Sequence, residues 1–198
     1  MSEQYFTQKP TSGSRESRFQ LELSGESFTF LCDRGVFSVG ELDAGTRILL
    51  DALPPLSGRI LDLGCGWGAI GTILGRRYPE AEVLLSDVNE RALHLAIENL
   101  KLNGVKNAHA VLSDGFENIE GTFDFIITNP PIRAGKQLIY SLFDTALARL
   151  KPGGRLYIVI RKQQGAESAL RHLAASSAEV IEKSKGYWII QAGGQANE

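Results

Sequence analysis

The sequence predicts a doubly wound α/β fold, with one mostly parallel sheet covered by helices on both faces. Three observations predict it. From Ser57-Gly58 onward, short apolar runs alternate with amphipathic stretches of about 10 to 15 residues, the pattern of strands joined by right-handed helical crossovers. The first of those runs passes directly into three alternating glycines. The chain of 198 residues, 43% of them apolar, is long enough for one domain with a substantial core and short for two.

The elements follow in order. Residues 1–18 are polar, show no periodicity and read as a flexible arm, while 19–57 form a small α+β lead-in to a core spanning 58–198. Within the lead-in, FQLEL and FTFLC flank the turn residues Ser24-Gly25-Glu26-Ser27 and predict a hairpin. A helix over 43–53 follows, closed by Pro54-Pro55. The core then predicts strand 59–63, a helix near 68–78, strand 81–86 and helix 90–103. That helix has Asn89 as its N-cap, Leu93, Ala96, Ile97 and Leu100 on its apolar face, and Gly104 just past its end. Strands 108–112, 123–128 and 155–161 and helices near 136–150 and 167–175 continue the alternation. The β-rich runs 179–183 and 187–192 around Ser184-Lys185-Gly186 predict a closing antiparallel hairpin.

Composition excludes several classes of protein. A net charge of −2 argues against coating nucleic acid or anionic membrane through bulk charge, although it leaves room for a local basic face. Cys32 and Cys65 are the only cysteines and stand far apart without a Cys/His cluster, so no disulfide framework and no metal site is expected. The polar start and the lack of any run of about 18 apolar residues point to a cytoplasmic protein without membrane partners.

Residues 60–71 read ILDLGCGWGAIG, a strand–turn–helix that can bind a ligand. Gly64, Gly66 and Gly68 permit close backbone approach, and the helix start offers unpaired N–H groups. Gly66-x-Gly68-x-x-Gly71 with Asp87 downstream also satisfies a dinucleotide fingerprint, so a nicotinamide enzyme competes. Charge separates the two ligands. Asp62 stands just before the glycines, where a pyrophosphate would meet a carboxylate. Asp62, Asp87 and Asp114 each end a successive parallel strand, and three acids around one pocket suit S-adenosylmethionine, with its sulfonium and ammonium groups, better than NAD. The bland alternative is that each caps a turn or helix. For Trp67, packing competes with a cation–π contact to a sulfonium.

Strand 123–128 ends in Asn129-Pro130-Pro131-Ile132. Two prolines stiffen the corner and leave carbonyls without N–H groups. An exocyclic amine conjugated to a ring is a poor nucleophile. Two acceptors, the Asn129 side-chain oxygen and the Pro130 carbonyl, would take its two hydrogens and aim its lone pair at a methyl group. No histidine is needed, and His94, His109 and His172 read as surface or structural.

Leu61-Asp62-Leu63-Gly64-Cys65-Gly66-Trp67-Gly68, then Asp87, Ser113-Asp114 and Asn129-Pro130-Pro131-Ile132 resemble the motif series of class I S-adenosylmethionine-dependent methyltransferases acting on amino nitrogens. Gly35-Val36-Phe37-Ser38 and Leu42-Asp43-Ala44-Gly45-Thr46-Arg47 narrow the resemblance to ribosomal RNA guanine-N2 methyltransferases of the small-subunit type. It covers about residues 5–192, the catalytic domain alone; the best-known enzymes of this group carry a second, degenerate methyltransferase-like domain.

The resemblance implies a seven-stranded Rossmann-like sheet ending in an antiparallel hairpin. S-Adenosylmethionine would be the cofactor, leaving as S-adenosylhomocysteine without a metal, and RNA, in particular ribosomal RNA, the partner. Asp62, Gly64, Cys65 and Gly66 would face the methionine end. Asp87 with Val88 would hold the ribose, Asp114 with Gly115 the adenine, and Thr46 would close the pocket. Asn129, Pro130 and Pro131 would form the catalytic corner, with Asn129 also beside the cofactor. Phe37, Ile132, Arg133 and Lys136 would meet the substrate, by stacking on a flipped base or pairing with its phosphates. Between Arg133 and Lys162 stand seven basic residues against one acid, Asp144. Adenine-N6 and glutamine-amide methyltransfer share the corner's chemistry, and both monomer and homodimer remain open.

Overall fold

The computed structural model describes residues 16–33 and 41–193. Strands β1 (Glu16–Leu23) and β2 (Glu26–Asp33) form an antiparallel hairpin about Ser24-Gly25. Residues 16–18 therefore belong to a strand and not to an arm. The alternation that predicted the hairpin is the burial pattern itself, with Leu21, Leu23, Phe28 and Phe30 inside.

Helix α1 (Ala44–Ala52) follows. Strand β3 (Arg59–Leu63), helix α2 (Ala69–Arg77), strand β4 (Glu82–Asp87), helix α3 (Glu90–Leu102) and strand β5 (Ala108–Leu112) build one half of the main sheet. Strand β6 (Phe123–Thr128), a short 3₁₀ turn at Ile132–Ala134, helix α4 (Lys136–Ala148), strand β7 (Leu150–Arg161), helix α5 (Ala166–His172) and strands β8 (Glu179–Ser184) and β9 (Tyr187–Gly193) build the other. The seven strands run β5-β4-β3-β6-β7-β9-β8, parallel through β7, with β9 antiparallel to both of its neighbours. Strand order reverses between β3 and β6, and open α/β sheets bind ligands outside the carboxyl ends of the strands flanking such a reversal.

One apolar cluster packs α1, α2, α3 and the hairpin on one face; the other packs α4 and α5 on the opposite face. Helix α3 starts where Asn89 Oδ1 accepts from the N–H groups of Arg91 and Ala92. It stops where Gly104 takes a positive φ, with the Gly104 and Val105 N–H groups bonded to the Lys101 and Leu100 carbonyls. Its buried stripe differs from the expected one: it runs through Ala92, Leu95, Ala96, Asn99 and Leu100, while Leu93 and Ile97 lie at its margin.

Asn99 is the reason for that rotation. Its amide accepts from Leu31 N–H at 2.7 Å and donates to the Leu31 carbonyl at 2.9 Å and to the Trp67 carbonyl at 2.8 Å. One turn on, Asn103 pairs with the Thr29 N–H and carbonyl in the same manner. Two amides four residues apart on a helix thus serve strand β2 as a neighbouring strand edge would, so a polar residue occupies a buried position. Strand β7 also begins earlier than expected, at Leu150, because a register shift between Phe123 and Phe125 absorbs the Lys151–Gly154 bend.

Candidate active site

The strand registers place the motif residues in one row. Leu63 pairs with Ser86 and Asp62 with Ile127, so Gly64 stands level with both Asp87 on β4 and Asn129 past β6. With neighbouring strands about 4.8 Å apart, the row spans about 10 Å, the reach of one small molecule and its acceptor. Thr128 Oγ1 ties β6 to β3 by donating to the Leu63 carbonyl at 2.8 Å.

The glycine loop folds over the end of β4, where the Ser86 carbonyl accepts from both Gly64 and Cys65 N–H. Asp87 holds it from beside: its Oδ2 accepts from Gly66 N–H at 2.8 Å and its Oδ1 from Asn89 N–H at 2.9 Å. The glycines divide by role. A Cβ on Gly64 or Gly66, both at positive φ, would point into open space, whereas one on Gly68 would strike Ala96 and one on Gly71 would strike Leu85. The first pair leaves room for a ligand and the second packs α2.

Asp62 is buried beneath the loop. Its Oδ2 accepts from Gly71 N–H at 2.8 Å in the first turn of α2, while its Oδ1, equally buried, has no partner. Desolvation lifts this carboxyl to about 7; the Gly71 hydrogen bond opposes the rise and the Asp87 charge adds to it. Burial raises Asp87 as well, against its bonds from Asn89, Gly66 and Val88. The helix-cap reading therefore holds for one Asp62 oxygen, and it weakens the nicotinamide alternative: a carboxylate already occupies the helix start where a pyrophosphate would sit. An orphaned buried carboxylate oxygen, two open glycines and a half-buried acid on the next strand fit a cationic nucleoside such as S-adenosylmethionine.

Val88 is half-buried behind Asp87. Asp114 is exposed at the same rim, and Gly115 next to it takes a positive φ and accepts from Ser113 Oγ at 3.0 Å. Trp67 is packing: Phe19 and Phe30 meet its ring edge-on at 5.6 and 4.9 Å. Cys65 is buried, its thiol is pushed well above its ordinary range by desolvation and by the Asp87 and Asp62 charges, and its Sγ donates to the Gly66 carbonyl.

The Asn-Pro-Pro corner is oriented from α1. Asn129 Nδ2 donates to Asp43 Oδ2 at 3.1 Å and to Thr46 Oγ1 at 3.0 Å. A carboxylate only accepts, so this pairing turns the amide with its nitrogen toward α1 and leaves Oδ1 as an acceptor. Asp43 also caps α1 by accepting from Thr46 N–H at 3.0 Å, and its Oδ1 lies 3.5 Å from Tyr187 Oη. Asp43 is not among the site residues that the sequence predicts; its place just ahead of the helix, inside the Leu-Asp-Ala-Gly-Thr-Arg segment, is the signal that marks it.

Pro130 is buried. Its carbonyl is not wholly free as expected, because it accepts from Ile132 N–H at 2.9 Å across Pro131 (φ −75°, ψ 78°), an inverse γ-turn that leaves one lone pair. Ile132 packs against the α4–α5 cluster; Arg133 and Lys136 are exposed. Phe37 lies outside the described residues. The histidines stand elsewhere, His172 against Asp144 and Tyr140. Among the described residues no three His, Cys, Asp or Glu side chains group as a metal site, and no helix is long and apolar enough to cross a membrane.

The seven basic residues between Arg133 and Lys162 do not form one face. Arg149, Lys151 and Arg155 lie at the amino edge of the sheet, bonded to the Gly121 carbonyl, to Asp124 and to the Gly153 and Gly154 carbonyls. That leaves Arg133, Lys136, Arg161 and Lys162 on the carboxyl side.

A seven-stranded sheet with one reversed strand, a glycine loop over acids and an Asn-Pro-Pro corner together define a methyltransferase. The chain belongs to the methyltransferase small domain family, whose model matches residues 27–191. It is 43% identical to the uncharacterized protein YbxB of Bacillus subtilis (strain 168), over 97% of this chain and 98% of that one. It is 42% identical over 146 residues to the ribosomal RNA small subunit methyltransferase C of Pseudoalteromonas translucida (strain TAC 125), over 71% of this chain and 42% of that one. Among solved structures, the T. thermophilus 16S rRNA N2 G1207 methyltransferase (RsmC) in complex with AdoMet and guanosine superposes with a TM-score of 0.81 at 28% identity, covering 94% of this chain and 52% of that one. The chain thus spans about two fifths to one half of these rRNA methyltransferases.

Proposed function

We propose that this chain transfers the methyl group of S-adenosylmethionine to the exocyclic N2 of a guanine in ribosomal RNA. The observation that carries the reading is the orientation of Asn129, whose amide nitrogen is committed to Asp43 and Thr46 while its oxygen is left to accept, one strand from the open glycine loop. The named activities of the rRNA methyltransferases that match this chain support it.

When bound, the cofactor supplies an electrophilic methyl on a cationic sulfur and leaves as the thioether S-adenosylhomocysteine. The protein's part is selection and positioning. Asp62 and Asp87 favour a positive ligand, Gly64 and Gly66 make room for it, and Asp87 with Val88 and Asp114 with Gly115 line its nucleoside side. Asn129 Oδ1 and the remaining lone pair of Pro130 take the two amine hydrogens, which points the nitrogen lone pair at the methyl in line with the departing sulfur. The nitrogen becomes acidic only as the N–C bond forms, so its proton passes to water without a strong base. Ile132, Arg133 and Lys136 lie on the side from which the base would enter.

The test is to incubate the protein with labelled S-adenosylmethionine and small-subunit ribosomal RNA, then identify the labelled nucleoside. N2-methylguanosine is expected, and Asn129→Ala should abolish it. Label in N6-methyladenosine or in a protein glutamine overturns the guanine assignment. Tight NAD binding without methyl transfer overturns the class.

A further inference from the structure

The carboxyl rim of the sheet is electrically divided. Its β4-β5 end carries the half-buried Asp87 and the exposed Asp114, while the end formed by β6, β7 and the β8–β9 turn carries Arg133, Lys136, Arg161, Lys162 and Lys185. A chain of net charge −2 thus concentrates positive charge on one side of its catalytic corner.

These cations come together through the topology. Arg161 pairs with Tyr187 across β7 and β9, and Lys162 N–H donates to the Gly186 carbonyl at 2.8 Å, which ties the end of β7 to the turn bearing Lys185. The Arg161 guanidinium lies 4.7 Å over the Tyr187 ring, and Tyr187 Oη is 3.5 Å from Asp43, the residue that holds Asn129. On the other face, Ile132 and Lys136 form one wall of a cavity whose other wall is Gln164, Gly165 and Ser168, just past Lys162. Both routes lead from Asn129 to the same basic ground.

Little there neutralises it. Among the described residues Arg133, Lys136, Arg161 and Lys185 have no carboxylate within 4.0 Å, and Lys162 meets only Glu167 at 3.7 Å, both more than half exposed. Such an exposed pair contributes at most about 1 kcal/mol and yields readily to a phosphate.

We propose that Arg161, Lys162 and Lys185 form a phosphate-binding strip that carries the RNA backbone away from the catalytic corner toward the antiparallel end of the sheet. This rests on the reading of RNA as substrate. Repulsion by the acidic half of the rim sets the direction, since a polyanion leaving Asn129 meets carboxylates one way and cations the other. The strip lies on the catalytic domain itself, the part of the longer rRNA methyltransferases that this chain matches.

The test compares the triple variant Arg161→Ala/Lys162→Ala/Lys185→Ala with wild type and with Lys101→Ala/Lys106→Ala, a control around the α3–β5 connection. Expected for the triple variant are an RNA KM raised tenfold or more, turnover at saturating RNA within twofold, unchanged S-adenosylhomocysteine affinity, and a salt dependence of RNA binding shallower by about 0.7 per lost phosphate contact. The control should behave as wild type. An unchanged KM and salt slope in the triple variant, with wild type active, overturns the strip and leaves the methyltransferase reading standing. Equal losses in the control reduce the effect to net charge and overturn it as well. A defect confined to assembled ribosomal particles, with naked RNA unaffected, assigns the surface to protein and likewise overturns it. Wild type inactive on any RNA overturns both.

Discussion

Asp43 Oδ2 lies 3.1 Å from Asn129 Nδ2, joining the cap of the first helix to the corner that ends β6, 86 residues later in the chain. The same oxygen closes the first turn of α1 through Thr46 N–H. One carboxylate therefore starts a helix and sets which way the Asn129 amide faces.

Replacing Asp43 by serine separates these two roles. Serine caps a helix about as well as aspartate but offers no fixed acceptor to Asn129, so the amide is free to turn. Asp43→Ser is expected to lower turnover about tenfold, about 1.4 kcal/mol of barrier, with cofactor affinity and thermal midpoint little changed. Steady-state kinetics beside a melting curve check it.

The glycines should part company under substitution. Gly66→Ala places a methyl in open space at φ +55°, at a backbone cost of about 1–2 kcal/mol, and is expected to weaken S-adenosylhomocysteine binding more than tenfold. Gly71→Ala drives its Cβ into the Leu85 side chain, an overpacking worth about 1–3 kcal/mol. It should lower stability with a smaller loss of binding by the protein that remains folded. Titration calorimetry and denaturant unfolding distinguish them.

Asp62 makes a prediction about pH. Its folded value of about 7 lies above that of an unfolded aspartate, about 4. Between those values the unfolded chain binds fewer protons at this site, so stability of the ligand-free protein falls as pH rises from about 4 to about 7 and is level above. Asp62→Asn removes that contribution. The difference between wild-type and variant unfolding free energies, followed by urea titration from pH 5 to pH 8, should decline through this window, and a difference that grows with pH contradicts it.

Asn99→Ala should be among the costlier substitutions. It strips partners from the Leu31 N–H and carbonyl and from the Trp67 carbonyl, and a buried unpaired group costs about 1–3 kcal/mol. A loss of about 3 kcal/mol is expected on denaturant unfolding, accompanied by faster amide exchange at Leu31 in the hairpin.

Some of this was legible in residue order and some was not. Short-range patterns carry their own geometry: alternation marked β1 and β2, Asn89 and Gly104 bounded α3, and the order of strands and helices implied a sheet whose carboxyl rim gathers Asp62, Asp87 and Asn129. Relations between distant segments had no such local signature. The apolar stripe of α3 differs from the predicted one because Asn99 is buried through its bonds to Leu31 and Trp67, contributed by two other segments. Lys151 and Arg161, ten residues apart in sequence, fall on opposite edges of the sheet because they stand near the two ends of β7.

What the amino-acid order determined by itself was the inventory: an acid-lined glycine turn, a proline-stiffened acceptor and the strands that set them side by side, since each depends on residues within one turn or strand. Only the tertiary structure decided how the parts are aimed. The direction of the Asn129 amide, the burial of Asp62 with one oxygen unpartnered and the division of the rim into acidic and basic halves arise where separate elements meet, and those meetings depend on packing across the whole chain.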